Sequence, residues 1–172
     1  STVDATTVTA GFDVATSIAS VVTVSNTAAV VAGKAFTLTS LTDTFVGGAG
    51  ADVFTADNTA TASASSTADS LTGGAGADTL NIFSDGSVDP MPVVSSIETI
   101  NLYDVDDAIF TTATAADVTT LNVIRGDGNA QGVIVAAGTT VNLSTITLDE
   151  AATAISVTHP AAATSATVGI DG

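Results

Sequence analysis

Cysteine and tryptophan are absent from the 172 residues, and basic side chains nearly so. Lys34 and Arg125 stand against 18 acids, for a formal charge of -16. The lack of cysteine excludes disulfides, thiolate zinc sites and a cysteine nucleophile. A single histidine, His159, excludes any mechanism that needs two imidazoles. Two cations cannot neutralise a phosphate backbone, which argues against a nucleic-acid partner. The same deficit argues against docking on anionic lipid. No stretch approaches about 18 apolar residues without a polar or turn residue, so no membrane insertion by a helix is expected.

The mean hydropathy is nevertheless positive, unlike that of acidic disordered tails, which pair high charge with low hydrophobicity. A chain of this length buries roughly 70 % of its unfolded surface, enough for one domain or two small ones. An acidic, cysteine-free, lysine-poor composition suits an extracellular bacterial protein in a calcium-containing medium. The start at Ser1, without a leader, is that expected of a mature form or an excised fragment.

Short β-branched runs recur at Thr6–Thr9, Ser20–Ser25, Ala35–Leu41, Ile97–Tyr103, Thr119–Arg125, Gly132–Ala137, Val141–Leu148 and Ala154–Thr158. Thr, Val and Ile are stiff at χ1 and favour the pleated surface, and the gaps carry Gly, Asp, Asn and Ser. The fold class read from this is all-β. Residues 112–118 and 149–153 each suit one helical turn at most. Thr55–Ala68, almost purely Ala, Thr and Ser, reads as a mobile surface loop or a low-complexity edge.

Two internal repeats organise the chain. A four-residue signature recurs at Thr79–Ile82, Thr99–Leu102, Thr120–Val123 and Thr140–Leu143, in steps of 20, 21 and 20 residues. Such a step fits one coil of a β-solenoid. Alternation along a strand points Leu80/Ile82, Ile100/Leu102, Leu121/Val123 and Val141/Leu143 inward. Thr and Asn then face outward. Parallel stacking would align Asn81, Asn101, Asn122 and Asn142 in an amide ladder at about 4.8 Å spacing.

The second repeat pairs residues 42–54 with 68–80. Each copy carries Gly-Gly-Ala-Gly-Ala-Asp, as Gly47, Gly48, Gly50 and Asp52, then Gly73, Gly74, Gly76 and Asp78. An aspartate precedes each terminal one by nine residues, Asp43 before Asp52 and Asp69 before Asp78. This matches the nonapeptide G-G-x-G-x-D-x-U-x, with Phe54 and Leu80 as the large apolar residue. Glycines let backbone carbonyls approach a point that side chains would block. Carbonyls and a carboxylate are hard oxygen ligands suited to Ca²⁺, and less to Mg²⁺, which resists losing its water shell. Turns on alternate sides every nine residues would put Asp43 and Asp69 at one edge and Asp52 and Asp78 at the other. Turns 47–52 and 73–78 are thus expected to stack around Ca²⁺, with an eight-residue insertion within Thr55–Ala68.

With Asp78–Ile82, Ser96–Leu102 and Thr119–Val123 following, the chain resembles the calcium-binding β-roll proteins of the repeats-in-toxin group. Within that lineage it is most similar to bacterial surface-layer proteins, whose repeats run "GGAGxDTLN … IExINL … TLNV". The resemblance covers residues 36–125, and the Thr-x-Asn pattern extends it to 143. It implies a secreted, calcium-dependent structural protein whose subunits assemble on the cell surface, with a surface polysaccharide as a possible anchor. Three segments are expected: 1–35 as an N-terminal β segment, with some sandwich-like character and an intersubunit strand; 36–83 as the calcium-binding turns; and 84–172 as stacked strands.

Other candidates are weaker. Asp104–Asp107 is a second Ca²⁺ site or a solvated acidic turn. Asp127–Gly132 partly fits a calcium loop, but its twelfth position is Gly138 rather than a bidentate Glu, and a tight turn is expected. Arg125-Gly-Asp127 spells an integrin-binding tripeptide by chance. His159 reads as a strand-end residue. Glu98 and Glu150 are not expected to act as glycosidase carboxylates, and no nucleophile elbow, zinc-protease or phosphate-loop motif occurs. The expectation is a non-enzyme, self-assembling into a layer or filament through apolar edge strands at Val21–Val24 or Ala29–Ala32. An adhesin repeat, or less so an ice-binding face, is the alternative.

Overall fold

The computed structural model describes residues 2–4, 13–15, 22–25, 32–59, 64–84, 90–104, 109–111, 115, 117–128, 131–148, 155–158 and 167–171. These residues form 18 strands, numbered β1 to β18 in chain order, and no helix. One sheet takes β1 (Thr2–Asp4), β3 (Val22–Ser25), β5 (Asp43–Ala49), β7 (Ser70–Ala75) and β9 (Val93–Ser95), in that order. A second takes β2 (Asp13–Ala15), β4 (Ala35–Thr37), β6 (Val53–Asp57), β8 (Thr79–Phe83), β10 (Thr99–Tyr103), β12 (Thr120–Ile124), β15 (Thr140–Ser144) and β18 (Thr167–Asp171). A third joins β11 (Ile109–Thr111), β14 (Gln131–Ile134) and β17 (Ile155–Thr158), and a fourth pairs β13 (Asp127–Gly128) with β16 (Thr147–Leu148).

Every pairing is parallel. Parallel neighbours need a long crossover, and here the crossover carries the strand of another sheet. From β1 to β10 the chain alternates strictly between the first two sheets. Strands of the first 35 residues extend the same two sheets as the glycine-rich repeats. Val22–Ser25 lies between β1 and β5, inside its sheet and not at an edge. The expected edge strand at Val21–Val24 is thereby corrected: the first sheet ends at β1 and β9, the second at β2 and β18. Residues 29–31 and Thr6–Thr9 lie outside the described residues.

The 20-residue repeat folds as its alternation requires. In β8, β10, β12 and β15 the second and fourth residues, Leu80/Ile82, Ile100/Leu102, Leu121/Val123 and Val141/Leu143, are buried and the Thr and Asn beside them half-buried. Like residues stack on like, Thr79 on Thr99, Thr120 and Thr140 in turn. The asparagine amides join across the strands: Asn101 Nδ2 donates to Asn81 Oδ1 at 2.8 Å, Asn122 to Asn101 at 2.6 Å and Asn142 to Asn122 at 2.7 Å. A one-residue slip would turn this row and the buried row inside out, so ladder and core fix one register.

The core is one continuous cluster, aromatic near the glycine-rich repeats and aliphatic beyond. Phe36 stacks on Phe54 within the second sheet, at 4.9 Å between ring centroids, and on Phe45 of the first sheet at 5.3 Å. Leu80, Ile82, Ile97, Ile100 and Leu121 are fully enclosed, each contributing roughly 1.5–3 kcal/mol by burial.

After β6, residues 60–63 lie outside the described residues, and those on either side are joined by hydrogen bonds. The Asn58 carboxamide accepts the Ala64 and Ser65 backbone N–H groups and donates to Ser65 Oγ, and Asn58, Ala64 and Ser65 are all buried. One side chain thus ties Asn58 to Ala64 and Ser65, and these three residues lie inside and not on the surface as expected.

Candidate metal centre

The two glycine-rich copies lie side by side. Gly48 pairs with Gly74 and Ala49 with Ala75, across β5 and β7. Gly47 and Gly48 therefore belong to a strand, and the expected turn narrows to residues 50–52. Close backbone approach explains the residue type. A Cβ on Gly74 would stand 2.1 Å from the Gly48 carbonyl oxygen, at a φ of +112° that L side chains rarely adopt.

Four charged residues form a column, each immediately before a strand of the second sheet: Lys34, Asp52, Asp78 and Glu98. Each carboxylate caps the backbone N–H of the preceding member. Asp52 Oδ1 accepts Lys34 N at 2.7 Å, Asp78 Oδ1 accepts Asp52 N at 2.7 Å, and Glu98 Oε2 accepts Asp78 N at 2.8 Å. Asp43 and Asp69 pair in the same way at the other edge, Asp43 N donating to Asp69 Oδ1 at 2.9 Å. Asp43 is satisfied in turn by the Thr39 backbone N–H and hydroxyl.

At Asp52, Asp69 and Asp78 one carboxylate oxygen is thus engaged, and the other is left over. Asp52, Asp69 and Asp78 are fully buried, and the Oδ2 atom of each has no hydrogen-bond partner. Asp52 Oδ2 and the Gly73 carbonyl oxygen converge on the point where a Cβ of Gly47 would stand, 2.2 and 2.4 Å from it. Asp78 Oδ2 and the Ser96 carbonyl oxygen converge in the same way on Gly73, at 2.3 and 1.9 Å. Acceptors facing acceptors inside a protein call for a proton or a cation between them.

The electrostatics agree. Burial is the main cause that lifts the Asp52, Asp69 and Asp78 carboxyls above the usual carboxylate range, and repulsion between neighbouring column members adds to it at Asp78. Asp43 is lifted by burial as well, against the Thr39 hydrogen bonds. The donors at Asp52–Gly73–Asp78 and Asp78–Ser96–Glu98 are all oxygen, as a hard cation requires. Among the described residues no three acidic or imidazole side chains gather at one point. Ca²⁺ there would draw its ligands from two carboxylates and from backbone carbonyls, so the residues fit it in chemistry.

Of the residues expected at the site, Asp43, Asp52, Asp69 and Asp78 stack in two pairs, with Gly47, Gly48, Gly50, Gly73, Gly74 and Gly76 packed beside the second. Lys34 and Glu98 belong to the column and were not read from the motif. The available signal was positional: Glu98 occupies in the 20-residue step the place of Asp78, and Lys34 precedes Asp52 by 18 residues.

The remaining candidates lie apart. Asp104 pairs with Arg125 through two hydrogen bonds of 2.8 and 2.7 Å, with both side chains about half exposed. Arg125 in turn lies 5.7 Å from the centroid of the Tyr103 ring, which stacks on Phe83. The rest of the acidic cluster, residues 105–107, lies outside the described residues, as do Glu150 and His159. No family model, curated protein or solved structure matches the chain.

Proposed function

We propose that this chain is an extracellular structural subunit, a β-solenoid of the β-roll kind, that binds Ca²⁺ along its glycine-rich coils and assembles with copies of itself into a bacterial surface layer or filament. The observation that carries the reading is the aligned pair of buried, partnerless oxygens, Asp52 Oδ2 and Asp78 Oδ2, each facing a backbone carbonyl. Ca²⁺ would be held by Asp52, Asp78 and Glu98 with the Gly73 and Ser96 carbonyls. When bound it supplies the positive charge that a chain at -16 lacks.

The chain's own residues do the rest. The glycines let two coils meet at backbone contact, and the capping carboxylates tie each coil to the one before. Ions that bind the folded column and not the unfolded chain stabilise the fold by mass action. Assembly draws support from the strands that end the sheets among the described residues. β2 and β18 are the terminal strands of the eight-stranded sheet, and a terminal strand templates pairing with another chain. Copies joined through β2 and β18 would meet head-to-tail, an arrangement that yields open filaments when it does not close on itself. The asparagine ladder commits its amides to one another, which favours a structural face over a ligand-reading one.

Electron microscopy of the purified chain, divided between Ca²⁺ and EGTA, tests this. Ordered arrays or fibres that form only with Ca²⁺ are expected. Particles that stay monomeric in both would overturn the assembly reading in favour of an adhesin-type module.

A further inference from the structure

Lys34 is the chain's single lysine, and it is 2 % exposed. A buried ammonium is costly unless paired, so its surroundings must answer it. They do: Nζ donates to the Gly47 carbonyl at 2.9 Å and lies 3.8 Å from Asp52 Oδ1.

The three members at the start of the column are structurally equivalent. Val53 N donates to the Lys34 carbonyl at 2.7 Å, Thr79 N to that of Asp52 at 2.9 Å and Thr99 N to that of Asp78 at 3.1 Å. Each faces one backbone carbonyl beside the first sheet's strands, Gly47 of β5 for Lys34, Gly73 of β7 for Asp52 and Ser96, the residue after β9, for Asp78, and these three positions follow the registers of β5 on β7 and of β7 on β9. At Gly73 and Ser96 a partnerless carboxylate oxygen meets the carbonyl. At Gly47 a donor meets it.

We infer that Lys34 is a built-in counterion: its ammonium fills the first cation position of the column, between the Gly47 carbonyl and Asp52, and so restricts external Ca²⁺ to the two positions that follow. The restriction to two rests on the calcium reading above, whereas the placement of the ammonium does not. Lys34 is in this sense a selectivity residue. It supplies one positive charge at fixed position without depending on the ion concentration outside, and it terminates the metal-binding run at the coil where the glycine motif begins.

Equilibrium dialysis with radioactive Ca²⁺ tests the inference on the full chain and on Lys34→Ala. The variant is expected to bind one ion more than the parent and to lose stability in EGTA that Ca²⁺ restores. In Lys34→Ala/Asp52→Asn the added ion should vanish together with the ion that Asp52 shares with Asp78, leaving fewer ions than the parent binds. A folded Lys34→Ala that binds the same number of ions as the parent overturns the inference. So does a variant that stays unfolded in millimolar Ca²⁺ while Lys34→Met/Asp52→Asn folds.

The parent gives a readout that needs no variant. With a single lysine, ¹⁵N labelling at Nζ yields one ammonium signal. Slow proton exchange there in EGTA and in Ca²⁺ alike upholds the assignment, and exchange as fast as that of a free lysine overturns it. A parent that binds no Ca²⁺ defeats the proposed function instead, and Lys34→Ala gaining an ion over such a parent still upholds the role of Lys34.

Discussion

Asp78 Oδ1 accepts the backbone N–H of Asp52 across 2.7 Å, joining two residues 26 positions apart at the same point of successive repeats. The bond leaves Asp78 Oδ2 buried without a donor, and Asp52 stands in the same condition one step along. Structure and charge are therefore opposed at one place. The capping bonds favour the stack, while ionised carboxylates inside it disfavour folding until something positive arrives.

That opposition sets the pH dependence of the metal-free chain. Burial raises the folded-state values of Asp52, Asp69 and Asp78 above the ordinary 3.8. A raised acid binds protons more readily folded than unfolded, so its stabilising contribution is complete below 3.8 and is lost as pH rises through the raised values. Melting temperatures in EGTA should fall between mildly acidic and neutral pH, and added Ca²⁺ should flatten the slope. A metal-free chain that grows more stable over that range contradicts the assignment.

The amide ladder makes a separate prediction. Asn122 bonds on both sides, to Asn101 and to Asn142, whereas Asn142 has one ladder bond. Asn122→Ala removes two half-buried hydrogen bonds and should cost about 1–3 kcal/mol. Asn142→Ala should cost about half as much by the same reckoning. Urea unfolding of the two variants side by side reads the difference, and equal costs would show that the ladder does not act as drawn.

Two glycines with positive φ should respond differently to the same change. At Gly138, with φ +87° and nothing within 4 Å of the added Cβ, alanine meets only backbone strain, about 1–2 kcal/mol. At Gly74 it meets that strain and the Gly48 carbonyl at 2.1 Å as well. Gly138→Ala should fold with a modest loss, and Gly74→Ala should fail to form the β5–β7 pairing, as judged by amide hydrogen exchange across both strands.

What could be read in advance follows from which interactions are periodic. The buried and half-buried rows of β8, β10, β12 and β15 were legible because a two-residue alternation is superposed on a near-constant step, and a shift in either would bury asparagine. The stacking of Asp43 on Asp69 and of Asp52 on Asp78 was legible for the same reason. Lys34 was not: one lysine in an acidic chain has no periodic partner, and its role emerges only when β4 is set beside β6. Glu98 was masked by its place in the Thr-x-Asn repeat, where it serves the strand and the column at once.

Gly47 and Gly48 show where local preference misleads. Glycine disfavours a strand on entropic grounds, yet a Cβ on Gly47 would meet the Gly73 carbonyl, and the Gly48 carbonyl stands where a Cβ of Gly74 would go. The place of Val22–Ser25 inside its sheet was unreadable because no motif in the first 35 residues shows which strand lies beside it. Asn58 was unreadable as a staple because its bonds depend on the path of a loop and not on a repeat.

The proposed function rests on the spare carboxylate oxygens of Asp52 and Asp78 holding Ca²⁺ and thereby securing the fold. Thermal unfolding followed by circular dichroism, in Ca²⁺ and in EGTA, for the parent, Asp52→Ala and Asp78→Ala, tests it most directly. The parent should gain on the order of 3 kcal/mol at a Ca²⁺ concentration about a hundred times its Kd, and each variant should lose most of that gain. Variants that keep the parental response to Ca²⁺, or a parent that does not respond, would contradict the claim.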